Sequence, residues 1–581
     1  MKKVSKLLFL GGIVALNLSL QSCKKDEPVA GNSVSIITIP NVSGASRSSV
    51  DIVGKLEDGD GIDSVKVMLA GKLFDAVDCK GATTYDYKKS FAIPDTSTGV
   101  KMPFTFTLKD KKGVVSTPKT VEVIVSKGVT ILKGNIVTDT RLTADNIYKL
   151  VGYVKVGRED VAGTISNTAI LTIEPGTVIV GERLSKGTLI VLRGSKIIAD
   201  GTADKPIVFT SDAMPGARRA GDWGGLVICG KAPNNLPLAS RELEGAYGAF
   251  HGGDDVNDNS GILRYVRVEY AGIPINTDQE VNSFSFGSVG AGTIIENLQA
   301  SYGNDDSFEW FGGTVNCKNL ISYKCIDDDF DTDNGYSGKI QFAIAIRDKD
   351  LADKSGSNGF ESDNDKTGST SAPMTSATFA NVTLVGPKAT AATEINGFHQ
   401  NGIQLRRSSK LKVYNALITG FRSGVYVDSQ VGGQTKVFAA TGELVLKNIV
   451  LAGVDGFGAN GYGAVEKGFG NPVVSVEQAS KAEDQKAILI GEKAPIDWFT
   501  AITGNVSMMR NATIGLNDNL WGASRPTFLL PATATQLLNV ALPTTLDPWF
   551  TKTTYVGAFG TTNDWTEKWA SFDPQSFNYL R

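Results

Sequence analysis

Two stretches of the chain overlay at an offset of 22 residues: 296–313, ENLQASYGNDDSFEWFGG, and 318–335, KNLISYKCIDDDFDTDNG. Asn297 then meets Asn319, and Leu298 meets Leu320. Asp305 and Asp306 meet Asp327 and Asp328, Phe308 meets Phe330, and Glu309 meets Asp331. A fixed period of this length marks a stack of repeats that bury a shared core. Twenty-two residues suit one coil of a parallel β-helix with short turns. The surrounding text agrees: apolar β-branched runs turn on Gly, Pro and Asp at intervals of roughly eight to twelve residues, and no helical period persists.

The Asn of the repeat returns with the same apolar sequel as Asn381 in ANVTLVG, Asn415 in YNALITG and Asn448 in KNIVLAG. The spacings of 62, 34 and 33 residues imply looped insertions and one skipped coil in the first gap. LRYVRVEYAG holds the same slot without an Asn, and Asn511 in RNATIG is a further candidate. Asn297, Asn319, Asn381, Asn415 and Asn448 are therefore expected to form a ladder. Each amide would donate to the carbonyl of the next along a stack spaced by about 4.8 Å. At roughly 25–35 residues per coil, about 12–14 coils fit between 128 and 545.

The phrases LTIEPGTVI and GSKIIADGTADKPIVFTS resemble the opening coils of bacterial right-handed parallel β-helices. Stacked Asn at one turn resembles the pectate-lyase-like superfamily. GDWGGLVICGKAP, GNDDSFEWFGGTVN, DDDFDTDNGYSGKIQF and the closing YVGAFGTTNDW resemble a group of bacterial surface lipoproteins. The resemblance implies an all-β fold, a β-helix over 128–545, and no particular activity.

The N-terminus reads as a targeting signal. Lys2, Lys3 and Lys6 precede an apolar run from Leu7 to Leu20, too short to span comfortably as a membrane helix. Leu20-Gln21-Ser22-Cys23 resembles a lipoprotein lipobox, which implies cleavage after residue 22 and a lipid on Cys23. Plain secretion is the alternative. The charged run behind Cys23 resembles the surface-export signal of Bacteroidota lipoproteins, which implies an outer-membrane protein facing the medium; a periplasm-facing lipoprotein is the alternative. Removal of 1–22 leaves 55 basic against 61 acidic side chains, a balance that offers no support for nucleic-acid binding. Cys79, Cys229, Cys317 and Cys325 make no disulfide framework and read as buried thiols.

After a tether over 23–33, short alternating strands over 34–127 suggest an Ig-like β-sandwich acting as a spacer. Its DGDGID stretch, Asp58 to Asp63, lacks a full set of oxygen ligands and reads as a Gly-rich loop. The segment 546–581 carries Trp549, Trp565 and Trp569 and reads as an aromatic cap over the open end of the helix. A sugar-stacking platform is the alternative.

The chemistry concentrates in the repeat, which stacks carboxylates on neighbouring coils. Such a column repels itself unless a cation, a shared proton or a base compensates. The leading candidate is calcium held among Asp305, Asp306, Glu309, Asp327, Asp328, Asp329, Asp331 and Asp333, because carboxylates and turn carbonyls suit an ion taking six to eight oxygens. Glu361, Asp363 and Asp365 in GFESDNDKTG are placed near the same edge. The second candidate is glycoside hydrolysis by Asp306, Asp327 and Asp328, a trio that resembles the acids of polygalacturonases. That family also uses a His and an Arg-x-Lys pair. Here His399, Arg406 and Arg407 lie 71 or more residues from Asp328. A lyase would need a base whose geometry nothing in the sequence fixes, and no P-loop, GxSxG or HExxH motif is present. Trp310, Phe311 and Tyr336 beside the acids are candidates for stacking on sugar rings. The expected function is binding or scaffolding of a glycan or another surface protein, with a polysaccharide-degrading enzyme as the alternative.

Overall fold

Segments such as Thr188–Val191 (TLIV) and Ile207–Ser211 (IVFTS) are buried at every position. They are too short for helices and do not alternate, the pattern of strands covered on both faces. In the computed structural model they pair in parallel with segments of the coils before and after. The structure describes residues 33–579 except 161–162, 238–239, 244–247, 277–278, 391, 454–473, 477–488, 509–514, 517 and 522–524. The signal 1–22, Cys23, the tether up to 32 and Asn511 lie outside the described residues. Among those described, no helix is long and apolar enough to cross a membrane.

The chain divides into two units, one ending at Val125 and one starting at Ser126, with Ser97–Gly99 assigned to the second. The first is a small Ig-like β-sandwich of six antiparallel strands. Its sheet order is Ile36–Thr38, Ser49–Leu69, Lys101–Asp110, Lys119–Ser126, Val42–Ala45, with Lys72–Ala92 also on Ser49–Leu69. Alternate residues such as Phe104, Phe106 and Leu108 enter its core with Ile52, Leu56, Val121 and Val123. The sequence around DGDGID does not separate two strands. One 21-residue strand runs through it and absorbs the glycines as a bulge between Glu57 and Ile62, where Gly61 takes φ +87°.

The second unit is a parallel β-helix. Among the described residues, ten strand positions, from Thr140–Leu142 to Val445–Ala452, follow one another in parallel register, and Val506–Met508 pairs with the last. Connections such as 347–359 spend residues outside the strands. From Gly261–Glu269 onward these strands bend at one residue in the left-handed region. That residue is Tyr265, Asn297, Asn319, Phe342, Asn381, Asn415 or Asn448, with φ from 51° to 64°. Asn tolerates this conformation better than other side chains, which explains its recurrence. Lys339–Ile346 is the skipped coil, and Phe342 fills its slot.

The Asn ladder exists in pieces. Asn319 donates to Asn297 at 3.5 Å and Asn448 to Asn415 at 2.7 Å. Phe342 breaks the run, and Gln341 donates to the Asn381 oxygen at 3.1 Å instead. The Asn381 and Asn415 amides turn to the backbone carbonyls of Val540, Tyr555 and Gly557.

Those carbonyls correct the expected cap. The segment after about 528 does not close the end of the helix; it runs back along the flank. Leu530, Leu537 and Val556 pack on Leu417 and Val450. Phe559, Trp569 and Phe572 pack on Ile321, Ile344 and Val385, and Tyr579 reaches Ile147 and Val178. Gln341 and Gln299 each clamp the strap with two bonds, to Thr551 and to Ser571. The aromatic residues cover the outer apolar face of the bent strands.

Candidate functional site

The site grows from one sheet of the helix, the strands Phe308–Phe311, Phe330–Asp333, Phe360–Ser362 and Asn401–Leu405. Strand alternation sends Phe308, Phe330, Phe360 and Ile403 inward and their neighbours Glu309, Asp331, Glu361 and Gln404 outward. Phe308 stacks on Phe330 with centroids 5.8 Å apart, and Phe360 packs tilted against Phe330 at 5.5 Å. That core fixes the register that superposes the acids, at the 22-residue offset read from sequence.

Two residues before each inward residue stands an Asp or Asn: Asn282, Asp306, Asp328, Asn358 and Asn401. Along most of this column a side-chain oxygen accepts the backbone N–H of the next coil. Asp328 N donates to Asp306 Oδ1 at 2.8 Å, Asn358 N donates to Asp328 Oδ1, and Asn401 N donates to Asn358 Oδ1 at 3.1 Å. The sequence reading missed this second ladder, although its signal is visible as N-S-F, D-S-F, D-D-F, N-G-F and N-G-I. Asn358 shows that a neutral amide also satisfies the backbone. The two Asp therefore carry charge that the ladder does not need.

A cavity of about 290 Å³ opens over the column, lined by acids that include Asp305, Asp306, Glu309, Asp327, Asp328 and Asp331. Glu280, Asn282, Asp353, Lys354, Ser355, Glu361 and Arg406 also line it. Glu280 and Asp353 had no sequence signal for this role, because neither stands on a copy of the acidic turn. The two basic groups do not offset nine acids. Arg406 is itself held by Glu361 and, at 2.8 Å, by Asp363, and Gln404 donates to the other Glu361 oxygen at 2.8 Å.

Burial, and then the neighbouring carboxylates, push the acids upward. Asp306, Asp328 and Asp331 lie well above the usual carboxylate range, each from desolvation first. Asp327 is pushed up to about 7 by burial and the nearby Asp353 and Glu361. Two trios bring carboxylate oxygens within 4.8 Å of one another: Asp305, Asp306 and Asp327, and Asp306, Glu309 and Asp331. In each trio one buried oxygen has no hydrogen-bond partner, Asp327 Oδ1 and Asp331 Oδ1. A buried acceptor left bare is costly, and at an all-oxygen site a hard cation relieves it.

Two predicted ligands fall outside the cavity wall. Asp329 is fully buried in an ion pair with Arg347 at 3.0 Å and accepts from Ser322 at 2.6 Å. Asp333 accepts from Asn334 at 2.6 Å and 3.1 Å, and burial with Asp363 nearby pushes it up to about 8. The predicted sugar-stacking residues are corrected. Trp310 and Tyr336 are fully buried and stack on each other at 5.4 Å, and Phe311 is 7% exposed against His251. Alternation turns Trp310 into the core beside outward Glu309, so proximity in sequence to the acids did not mean proximity in space. Neither histidine lines the cavity. His251 is wholly enclosed, and His399 Nε2 lies 3.0 Å from the carbonyl of Asp348.

A family model for a pectate-lyase-like β-helix domain matches residues 134–500. No curated protein matches the chain. Among solved structures, a family 28 exopolygalacturonase of Yersinia enterocolitica is similar at 10% identity over 72% of this chain and 95% of its own, with a TM-score of 0.15. Fibronectin(III)-like modules of Clostridium thermocellum CbhA are similar at 19% identity over 16% of this chain and 96% of theirs, with a TM-score of 0.12.

Proposed function

The chain belongs to the pectate-lyase-like β-helix family, and from that premise we propose that it is a calcium-holding binding module, lipid-anchored through Cys23 at the outer-membrane surface. The observation that carries the reading is the pair of buried, partnerless oxygens on Asp327 and Asp331 inside two carboxylate trios. Asp305, Asp306, Glu309, Asp327 and Asp331 supply five carboxylates, enough with a few waters for the six to eight oxygens calcium takes. The ligand is a glycan or another surface protein. With Trp310 and Tyr336 in the core, recognition rests on the cation and on polar groups at the rim, such as Ser355 and Arg406, rather than on aromatic stacking.

Calcium titration of the intact chain by calorimetry tests the reading. Wild type is expected to bind calcium at the cleft, and Asp331→Asn to weaken that binding at least tenfold. Identical isotherms for the two would overturn it. A glycan panel screened with and without chelator then identifies the ligand.

Hydrolysis is retained as a second reading because Asp306, Asp327 and Asp328 do line one cavity with Arg406. Against it, Asp306 and Asp328 each give an oxygen to the backbone ladder, and Arg406 is held by two acids. Product release from any glycan, abolished by Asp328→Asn, would make this the better reading.

A further inference from the structure

The N-terminal sandwich has its own acidic cluster, remote in sequence from the β-helix acids. Asp58 and Asp60 stand on the bulge of Ser49–Leu69, and Asp110 ends the neighbouring strand, where Ile62 and Asp110 pair. Carboxylate oxygens of the three lie within 4.8 Å of one another. Asp58 is 3% exposed and Asp110 2%. DGDG alone lacked ligands; the fold supplies the third acid from 50 residues away.

Most of the oxygens are already engaged. Ser35 Oγ donates to Asp58 at 2.5 Å, and Asp60 N donates to it at 2.9 Å. Ser33 N donates to Asp60 at 2.8 Å, and Lys112 Nζ lies 2.8 Å from the other Asp60 oxygen. Val114 N donates to Asp110 Oδ1 at 2.7 Å. Asp110 Oδ2 is the exception, buried with no hydrogen-bond partner. Three carboxylates face one ammonium, so the cluster keeps an excess negative charge and one oxygen that the protein leaves bare. Every donor in it is an oxygen atom, with no His or Cys among the three, a set that selects a hard divalent cation over zinc or copper.

We propose that Asp58, Asp60 and Asp110 form a second calcium site, independent of the β-helix cleft. The ion ties together the bulge, the 110–114 turn and Ser33, whose N–H and hydroxyl both engage the same acids. It therefore fastens the point where the described chain enters the sandwich.

The test is equilibrium dialysis of the full chain against millimolar calcium, with the cleft silenced by Asp306→Asn and Asp331→Asn. That background is expected to retain one calcium per chain. Adding Asp110→Asn, which keeps an acceptor for Val114 N, takes it to zero, and so does Asp60→Asn if the first variant fails to fold. Asp63→Asn, a neighbour outside the cluster, leaves it at one. A silenced background that holds no calcium overturns the proposal, as does retention of one equivalent in folded Asp110→Asn; either result would assign the cluster to shared protons and Lys112.

Discussion

The backbone N–H of Asp328 donates to the side chain of Asp306 one coil below, at 2.8 Å. One acid thus stitches two coils together, and only one of its oxygens is used. Asn358 does the same for Asn401 without a charge. Asp306→Asn and Asp328→Asn should therefore keep the ladder and remove buried repulsion. In chelator each is expected to be more stable than wild type, since burial and the neighbouring carboxylates disfavour the charged acid that the amide replaces. In calcium each should be the less stable protein. Asp328→Ala leaves the Asn358 N–H unsatisfied and should cost about 1–3 kcal/mol in either condition. Chemical denaturation of the three variants, with and without calcium, checks the pattern.

The raised acids give the metal-free protein an inverted acid response. Asp327, near 7, and Asp333, near 8, bind protons in the folded state that they release on unfolding in neutral solution. The folded state then holds more protons than the unfolded one, so stability falls as pH rises. Their contribution is complete below the ordinary carboxylate range near 4 and is lost as pH climbs through 7 to 8. In chelator, Tm should decline from pH 5 to pH 8. Calcium, which competes with protons for Asp327, should flatten the decline and raise Tm most at the alkaline end. A Tm that rises with pH in chelator would contradict the assignment.

What the sequence made legible was periodic. The 22-residue offset placed Phe308 on Phe330 and Glu309 on Asp331, because parallel register copies spacing directly into space. The Asn slot was legible for the same reason, down to the missing coil now filled by Phe342. Non-periodic features were not. Asp353 reaches the cavity from a loop, and the strap's path depends on its aromatic residues matching a flank that no local pattern announces. Trp310 neighbours the acids in sequence, but strand parity turns it inward beside outward Glu309. Asp329, inside the same acid run, was indistinguishable from its neighbours until Arg347 appeared beside it.

Arg347 is the fixed point of the acidic turn. It pairs with Asp329, with both side chains essentially unexposed, and it donates to the carbonyls of Asp327 and Asn358. Arg347→Met strands a buried carboxylate and frees the turn that presents Asp327 and Asp328. The expected loss is about 3–5 kcal/mol, together with weakened calcium binding. Adding Asp329→Leu should recover much of the stability but not the calcium affinity, since the carbonyl contacts stay broken. Denaturation and calorimetry on the single and double variants separate the two effects.

The strap is expected to be a working part of the helix. Trp569 is 1% exposed, sits among Tyr265, Trp565 and the apolar outer face, and its carbonyl accepts from Arg267 at 3.0 Å. Tyr579 further along donates to Glu269 at 2.9 Å, a carboxyl that burial drives upward. Trp569→Ala should cost about 3–5 kcal/mol by the cavity it leaves. The loss should fall on the strap first, because its inner face is held by side chains and the coils by continuous parallel ladders. Limited proteolysis should cut the variant between 546 and 579 while the coils from 294 to 452 resist. Global digestion at the same rate as local cutting would show that strap and coils unfold together.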